Sequence, residues 1–167
     1  MSNQNKKRLY IAYGSNLNLE QMARRCPTAK IVGKTCLHNY QLMFRGKNTA
    51  VATIEKQKGS KVPVLIWLLQ PSDEYSLDIY EGYPSLYRKR MLRISVNGRR
   101  TSAMVYIMNE SLHPYGTPSR RYFDTIRQGY EEAGFDSKIL RHAVLDSVWE
   151  AYLSKKYEGG ETYGEND

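Results

Sequence analysis

The sequence predicts an α+β fold, on three observations. Segments of strand character fill the first two-thirds of the chain. Two amphipathic helical patterns close it. Strands and helices are therefore segregated rather than alternating, which argues against a βαβ design. With 167 residues the chain has the length of one domain, and a domain of that size buries most of its apolar surface without disulfides or a structural metal.

Residues 8–13 alternate in polarity and read as a strand with Leu9, Ile11 and Tyr13 on one face. Gly14-Ser15-Asn16 is turn composition. Asn18 is placed to cap a short helix with Leu19, Met22, Ala23 and Cys26 on one side, and Pro27 follows its end. Strand-like segments follow at 31–37, 40–45, 50–56 and 62–69, and Lys58-Gly59-Ser60 predicts a hairpin turn between the last two. Ser72 is the expected cap of a helix from Asp73 to Tyr80 or Glu81, with Gly82 as terminator. Segments 86–96 and 101–108 predict a hairpin turning at Asn97-Gly98, the strongest two-residue hairpin signal. Ser119 caps a helix with Phe123, Ile126 and Tyr130 on one face, ended by Gly134. Asp136 or Ser137 starts another, with Ile139, Leu140, Ala143, Val144 and Val148 inward. One domain over 8–156 follows, with 1–7 and the Gly-rich, acidic stretch 157–167 expected as disordered tails.

Composition narrows the function classes. No apolar run approaches the roughly 20 residues of a membrane-spanning helix; the longest, at 62–69, is interrupted by Pro63. The N-terminus lacks the apolar centre of a signal peptide, so a cytoplasmic location is expected. Cys26 and Cys36 match no zinc pattern and are too few for a disulfide framework, and read as reduced thiols. His38, His113 and His142 form no metal-binding motif. The net charge of +8 comes from short clusters such as Arg24-Arg25, Arg88-Lys89-Arg90 and Arg99-Arg100. Neighbouring residues on a strand face opposite sides and cannot all line one groove, so a solvated basic surface is the preferred reading over nucleic-acid binding.

Three groups of residues could carry chemistry. In the turn Tyr13-Gly14-Ser15-Asn16-Leu17, a glycine allows unusual φ and close approach of a ligand, and successive backbone N–H groups suit a carboxylate or phosphate; an ordinary tight turn has the same composition. Glu81 lies four residues from Leu77 on one helix face, so it points inward, where burial and the helix C-terminus both raise a carboxyl pKa. Alternatively it swings out or pairs with Arg88, Lys89 or Arg90. Tyr87, Tyr106 and Tyr122 could aim phenols at a shared pocket or sit at core edges. No dinucleotide fingerprint or P-loop is present, and Ser15 lies in no nucleophile elbow.

Taken together, Tyr13-Gly14-Ser15-Asn16-Leu17 at the end of the first strand, the segment Leu77-Asp78-Ile79-Tyr80-Glu81-Gly82-Tyr83, the strand at 50–54 and the order of Tyr87, Tyr106 and Tyr122 resemble the γ-glutamylcyclotransferase family with its AIG2-like relatives, over roughly 9–144. The resemblance implies a small mixed β-barrel flanked by helices, called cyclotransferase-like. It implies a small γ-glutamyl substrate, no cofactor and no metal. Glu81 then matches the catalytic glutamate. Tyr13, Gly14, Ser15, Asn16 and Leu17 match the substrate-binding turn, and Tyr87, Tyr106 and Tyr122 match pocket positions. The implied reaction is attack of the glutamyl α-amine on its own γ-carbonyl, releasing 5-oxoproline. A γ-glutamyl amine or γ-glutamyl-protected natural product as donor, or a non-catalytic small-anion binder, remain alternatives. Oligomeric state stays open, a homodimer included.

Overall fold

The computed structural model describes residues 6–109 and 113–159. Five strands form one sheet: β1 (Arg8–Ala12), β2 (Lys30–Arg45), β3 (Val51–Leu69), β4 (Tyr87–Val96) and β5 (Arg99–Met108), in the order β2-β3-β1-β5-β4. Four helices flank it: α1 (Leu19–Arg25), α2 (Pro71–Glu81), α3 (Arg120–Ala133) and α4 (Ser137–Glu158). The α+β class is as expected.

β1 runs antiparallel to β3, from Arg8 opposite Leu69 to Ala12 opposite Leu65, and meets β5 in parallel at Tyr10 and Met104. The sheet is mixed but is not closed into a barrel by a backbone ladder. Its edges β2 and β4 are instead bridged by side chains: Thr35 Oγ1 donates to the Ser95 carbonyl at 2.7 Å and Asn97 Nδ2 to the Val32 carbonyl at 3.0 Å.

The four strand segments expected between residues 31 and 69 are two long strands, and Lys58-Gly59-Ser60 does not turn the chain. β2 and β3 pair along their whole lengths, with an irregularity where Leu37 and His38 face Val62 and Lys61 but Tyr40 faces Lys56. Asn39 (φ 63°) and Gly59 (φ 84°) absorb the extra residues, and Asn39 Oδ1 accepts from the Gly59 N–H at 3.0 Å. The glycine marks a bulge that bends the ribbon. The hairpin at Asn97-Gly98 forms as expected, both residues having the positive φ of a type I′ turn.

The cap of α2 is Gln70, not Ser72. Gln70 and Asp73 exchange side-chain-to-backbone hydrogen bonds, and Pro71 takes the first helical position, where a missing N–H costs nothing. Gly82 ends the helix in the left-handed conformation. Asn18, Ser119 and Asp136 cap α1, α3 and α4. On α1, Met22 is buried, as is Cys26 just beyond its end, while Leu19 and Ala23 face outward. On α4, Leu140 and Ala143 are buried, but Val148 is exposed and Ser147 takes the inward position, its Oγ accepting from Phe44 N–H at 2.9 Å and donating to the Ala143 carbonyl at 2.7 Å. α4 runs to Glu158, so the first residues assigned to a C-terminal tail are helical. The remaining tail residues 1–5 and 160–167 lie outside the described residues.

β1 is the shortest strand and stops at Ala12, while β3 and β5 continue past it. The chain turns there into a single 3-10 turn, Ser15–Leu17. The gap beyond the end of β1 is where a cavity opens.

Candidate active site

The turn is held from three sides. Leu17 N–H bonds to the Gly14 carbonyl at 3.0 Å and Asn18 N–H to the Ser15 carbonyl at 3.1 Å, which leaves the Ser15 and Asn16 N–H groups leading the turn, where no intrahelical acceptor precedes them. From behind, α3 abuts it at Gly129, where a Cβ would lie 2.7 Å from the Leu17 carbonyl carbon and 2.9 Å from Asn18 N. Asn18 Nδ2 also donates to the Thr125 carbonyl at 3.0 Å. At the front, Gly14 permits close approach rather than unusual φ: its φ is −120°, and an added Cβ would stand 3.1 Å from Ala52 Cβ and 3.7 Å from Tyr122 Oη.

A cavity of about 200 Å³ opens against this turn. Seven residues singled out from the sequence line it: Tyr13, Gly14, Ser15, Asn16, Glu81, Tyr87 and Tyr122. Val51, Ala52, Tyr80 and Leu86 complete the wall. Pockets for drug-sized ligands run from about 300 Å³ upward, so this one suits a group the size of an amino acid.

Glu81 sits at the last turn of α2. Its Oε1 accepts from Asn16 Nδ2 at 2.9 Å, and the same amide donates to Tyr10 Oη at 2.8 Å. Lys89 does not pair with Glu81: it reaches Glu74 and Asp78 at 3.0 and 2.8 Å. Burial pushes the Glu81 carboxyl up from 4.5 to about 7, against the opposing pull of Arg25 and the Asn16 hydrogen bond. Near neutral pH the group therefore holds or releases a proton readily, as a general acid–base requires.

The tyrosines divide. Tyr87 Oη donates to the Ala52 carbonyl at 2.5 Å, and Tyr122 Oη accepts from Ala52 N–H at 3.1 Å, so both fix the wall opposite the turn. Burial raises both phenol pKa values, so both stay protonated. Tyr106 is brought elsewhere: its hydroxyl donates to Asp78 at 2.5 Å, and only its backbone carbonyl touches the site, accepting from Tyr13 Oη at 2.7 Å. Its place on β5, two residues from the end, turns the ring away from the cavity. Leu17 is fully buried beneath the turn and reaches the cavity no better.

Sequence reasoning missed Tyr80, whose hydroxyl shares a 3.0 Å hydrogen bond with Ser15 Oγ, and Arg25, which it placed on the solvated surface. Arg25 lies over the Tyr80 ring, 3.3 Å from the centroid, and bonds to Asn16 Oδ1. Spacing gave one usable signal: on a helix capped by Asn18, position 25 lies nearly two turns on, facing back toward the turn. Of the other clusters, Arg88, Arg90, Arg99 and Arg100 are exposed, as expected, whereas Lys89 is half-buried between Glu74 and Asp78.

A family model described as gamma-glutamyl cyclotransferase, AIG2-like, matches residues 10–125, which include every residue of this site. The chain belongs to that family. A mouse gamma-glutamylcyclotransferase is 31% identical over 162 residues, covering 90% of this chain and 85% of its own. Its human counterpart is 30% identical over 136 residues, covering 75% and 71%. A solved structure named gamma-glutamyl cyclotransferase superposes with a TM-score of 0.73 at 25% identity, over 83% of this chain and 86% of its own. The fold is thus the cyclotransferase one, and where the resemblance implied a small mixed β-barrel the five-stranded mixed sheet has an unladdered seam between β2 and β4. Among the described residues no helix is long and apolar enough to cross a membrane, and no cluster of His, Cys, Asp and Glu could hold a metal ion.

Proposed function

We propose that this γ-glutamyl cyclotransferase family member releases 5-oxoproline from a small γ-glutamyl donor, with Glu81 as general acid–base. One observation carries the reading: a carboxyl group with its pKa near 7 lines a 200 Å³ cavity, hydrogen-bonded to the Asn16 of an N–H-rich turn. The Ser15 and Asn16 N–H groups receive the substrate α-carboxylate. The α-amine arrives as ammonium, which cannot attack. Ionised Glu81 removes one proton, the amine nitrogen bonds to the γ-carbonyl carbon, and a tetrahedral oxyanion forms. Tyr122 Oη, which accepts from Ala52 N–H and keeps its own proton to donate, is the group proposed to stabilise it. The bond to the leaving nitrogen then breaks as that nitrogen takes a proton from Glu81, and the oxyanion re-forms the carbonyl. The ring nitrogen gives its second proton to the freed Glu81 carboxylate, which releases it to solvent. The cavity's part is largely to hold the glutamyl chain bent, because attack is intramolecular.

The test is release of 5-oxoproline, read by mass spectrometry, from a panel of γ-glutamyl amino acids, peptides and amines. Glu81→Gln keeps the shape and the Asn16 hydrogen bond, so it should fold normally and lose turnover by at least 100-fold, the order general acid–base catalysis supplies. Normal turnover in that variant would sink the assignment. Ligand binding without turnover by the unmodified protein would favour the non-catalytic alternative.

A further inference from the structure

Asn16 is fully committed on its side-chain amide. Nδ2 donates to both Glu81 Oε1 and Tyr10 Oη, and Oδ1 accepts from Arg25 Nη1. Arg25 is itself fixed: Nη2 donates to Gln21 Oε1 at 2.9 Å, one helical turn back on α1, and the guanidinium plane covers the Tyr80 ring. Reversing the amide would set Nδ2 against a guanidinium and Oδ1 against a carboxylate, donor on donor and acceptor on acceptor.

This matters in the middle of the proposed reaction. While Glu81 is ionised, its own charge keeps Nδ2 facing it. Once Glu81 has taken the substrate's proton, that preference disappears. A reversed amide would then place Oδ1 to accept from the protonated carboxyl O–H of Glu81 and hold the proton back from the leaving nitrogen. Arg25 is positively charged at every stage, so Oδ1 stays turned toward it.

We infer that Arg25 is a positioning residue for this reaction: it locks the Asn16 amide so that Nδ2 always faces Glu81 Oε1, leaving Oε2 as the oxygen that takes and returns the proton. The inference rests on Glu81 being the acid–base of the proposed function. It also carries an electrostatic consequence. Around Glu81 stand the phenols of Tyr10 and Tyr13 at the end of β1, Tyr80 on α2, Tyr87 on β4, Tyr122 on α3, and the Cys26 thiol after α1. Burial raises the Tyr10, Tyr13, Tyr87 and Tyr122 phenols, and pushes the Cys26 thiol up to about 12. Among the described residues acting on Glu81, Arg25 is the group that brings a full charge.

The experiment is a carboxyl carbon NMR titration of Glu81, its resonance identified by its loss in Glu81→Gln, alongside pH profiles of kcat/KM. In Arg25→Met and Arg25→Gln the midpoint should move up by about one pH unit, and the rising limb of kcat/KM should move with it. Arg25→Lys retains the charge and loses the planar fork, so it should keep the wild-type midpoint while kcat falls. Arg25 lies partly exposed at the end of a helix. Should Arg25→Met fail to fold, Arg25→Gln, which keeps a donor for Asn16, makes the same comparison. A midpoint unchanged in the neutral variants would overturn the inference. An active Glu81→Gln would overturn the proposed function instead, and the two failures are read from different measurements.

Discussion

Tyr87 and Tyr122 both bind the backbone of Ala52, one at its carbonyl and one at its N–H, and so hold β3 at a fixed distance from the turn. Removing a hydroxyl leaves a buried backbone group without its partner, a loss of about 1–3 kcal/mol. Tyr87→Phe should therefore lower stability by that order in a denaturant titration, with an unchanged m-value, and raise KM because the wall relaxes. An unchanged denaturation midpoint would show that the Tyr87 hydrogen bond contributes nothing net. At this scale the sequence was informative about residue type more than about direction. Glu81 was legible because helical spacing ties it to Leu77, whose burial is easily foreseen. Tyr106 was not, because a strand position fixes which face a ring takes only once the strand's register is known. The pull of Asp78 on its hydroxyl comes from a separate helix. Arg25 was hidden for the same reason: its partners Asn16 and Tyr80 lie on other elements.

The elements meet the turn through Gly129. Helix α3 carries this glycine where any side chain would overlap the Leu17 and Asn18 backbone, and backbone cannot yield as a flexible side chain can. Gly129→Ala should push α3 away from the turn, costing about 1–3 kcal/mol through overpacking. It should also raise KM for a γ-glutamyl donor, although position 129 lies outside the cavity. A variant with normal KM and lower stability would show that the turn keeps its shape without α3. Helix ends were the best-read features here, since Asn18, Ser119, Asp136, Gly82 and Gly134 act locally. The long strands were the worst read. A glycine flanked by polar residues signals a turn, and only the partner strand, with Asn39 opposite, reveals that the same residues make a bulge. The seam between β2 and β4 is a further non-local fact, invisible in either strand alone.

For the whole molecule, keeping Glu81 poised has a cost in stability whose sign follows from its pKa. The folded state holds the Glu81 proton up to about pH 7, whereas the unfolded chain releases it near 4.5. The native state thus binds more protons in that window, and stability falls as pH rises from about 4.5 through 7. Glu81→Gln removes this penalty. It should melt several degrees above the wild type at pH 8, from a gain on the order of 3 kcal/mol, and the gain should shrink toward pH 5. Equal melting temperatures at pH 8 would mean that the carboxylate is fully compensated in the fold. A stability gain on losing a buried acid is the usual mark of a group held against the preferences of its scaffold. The end of β1 has its own consequence, one of timing. The hairpins β2–β3 and β4–β5 join neighbours in the chain, but the cavity draws on Tyr13 at one extreme and Tyr122 at the other. No short stretch contains it, and contacts so distant in sequence form only after their intervening loops have closed. A nascent chain that has finished both hairpins but not yet α3 already has most of its sheet but lacks the Tyr122 wall of its cavity.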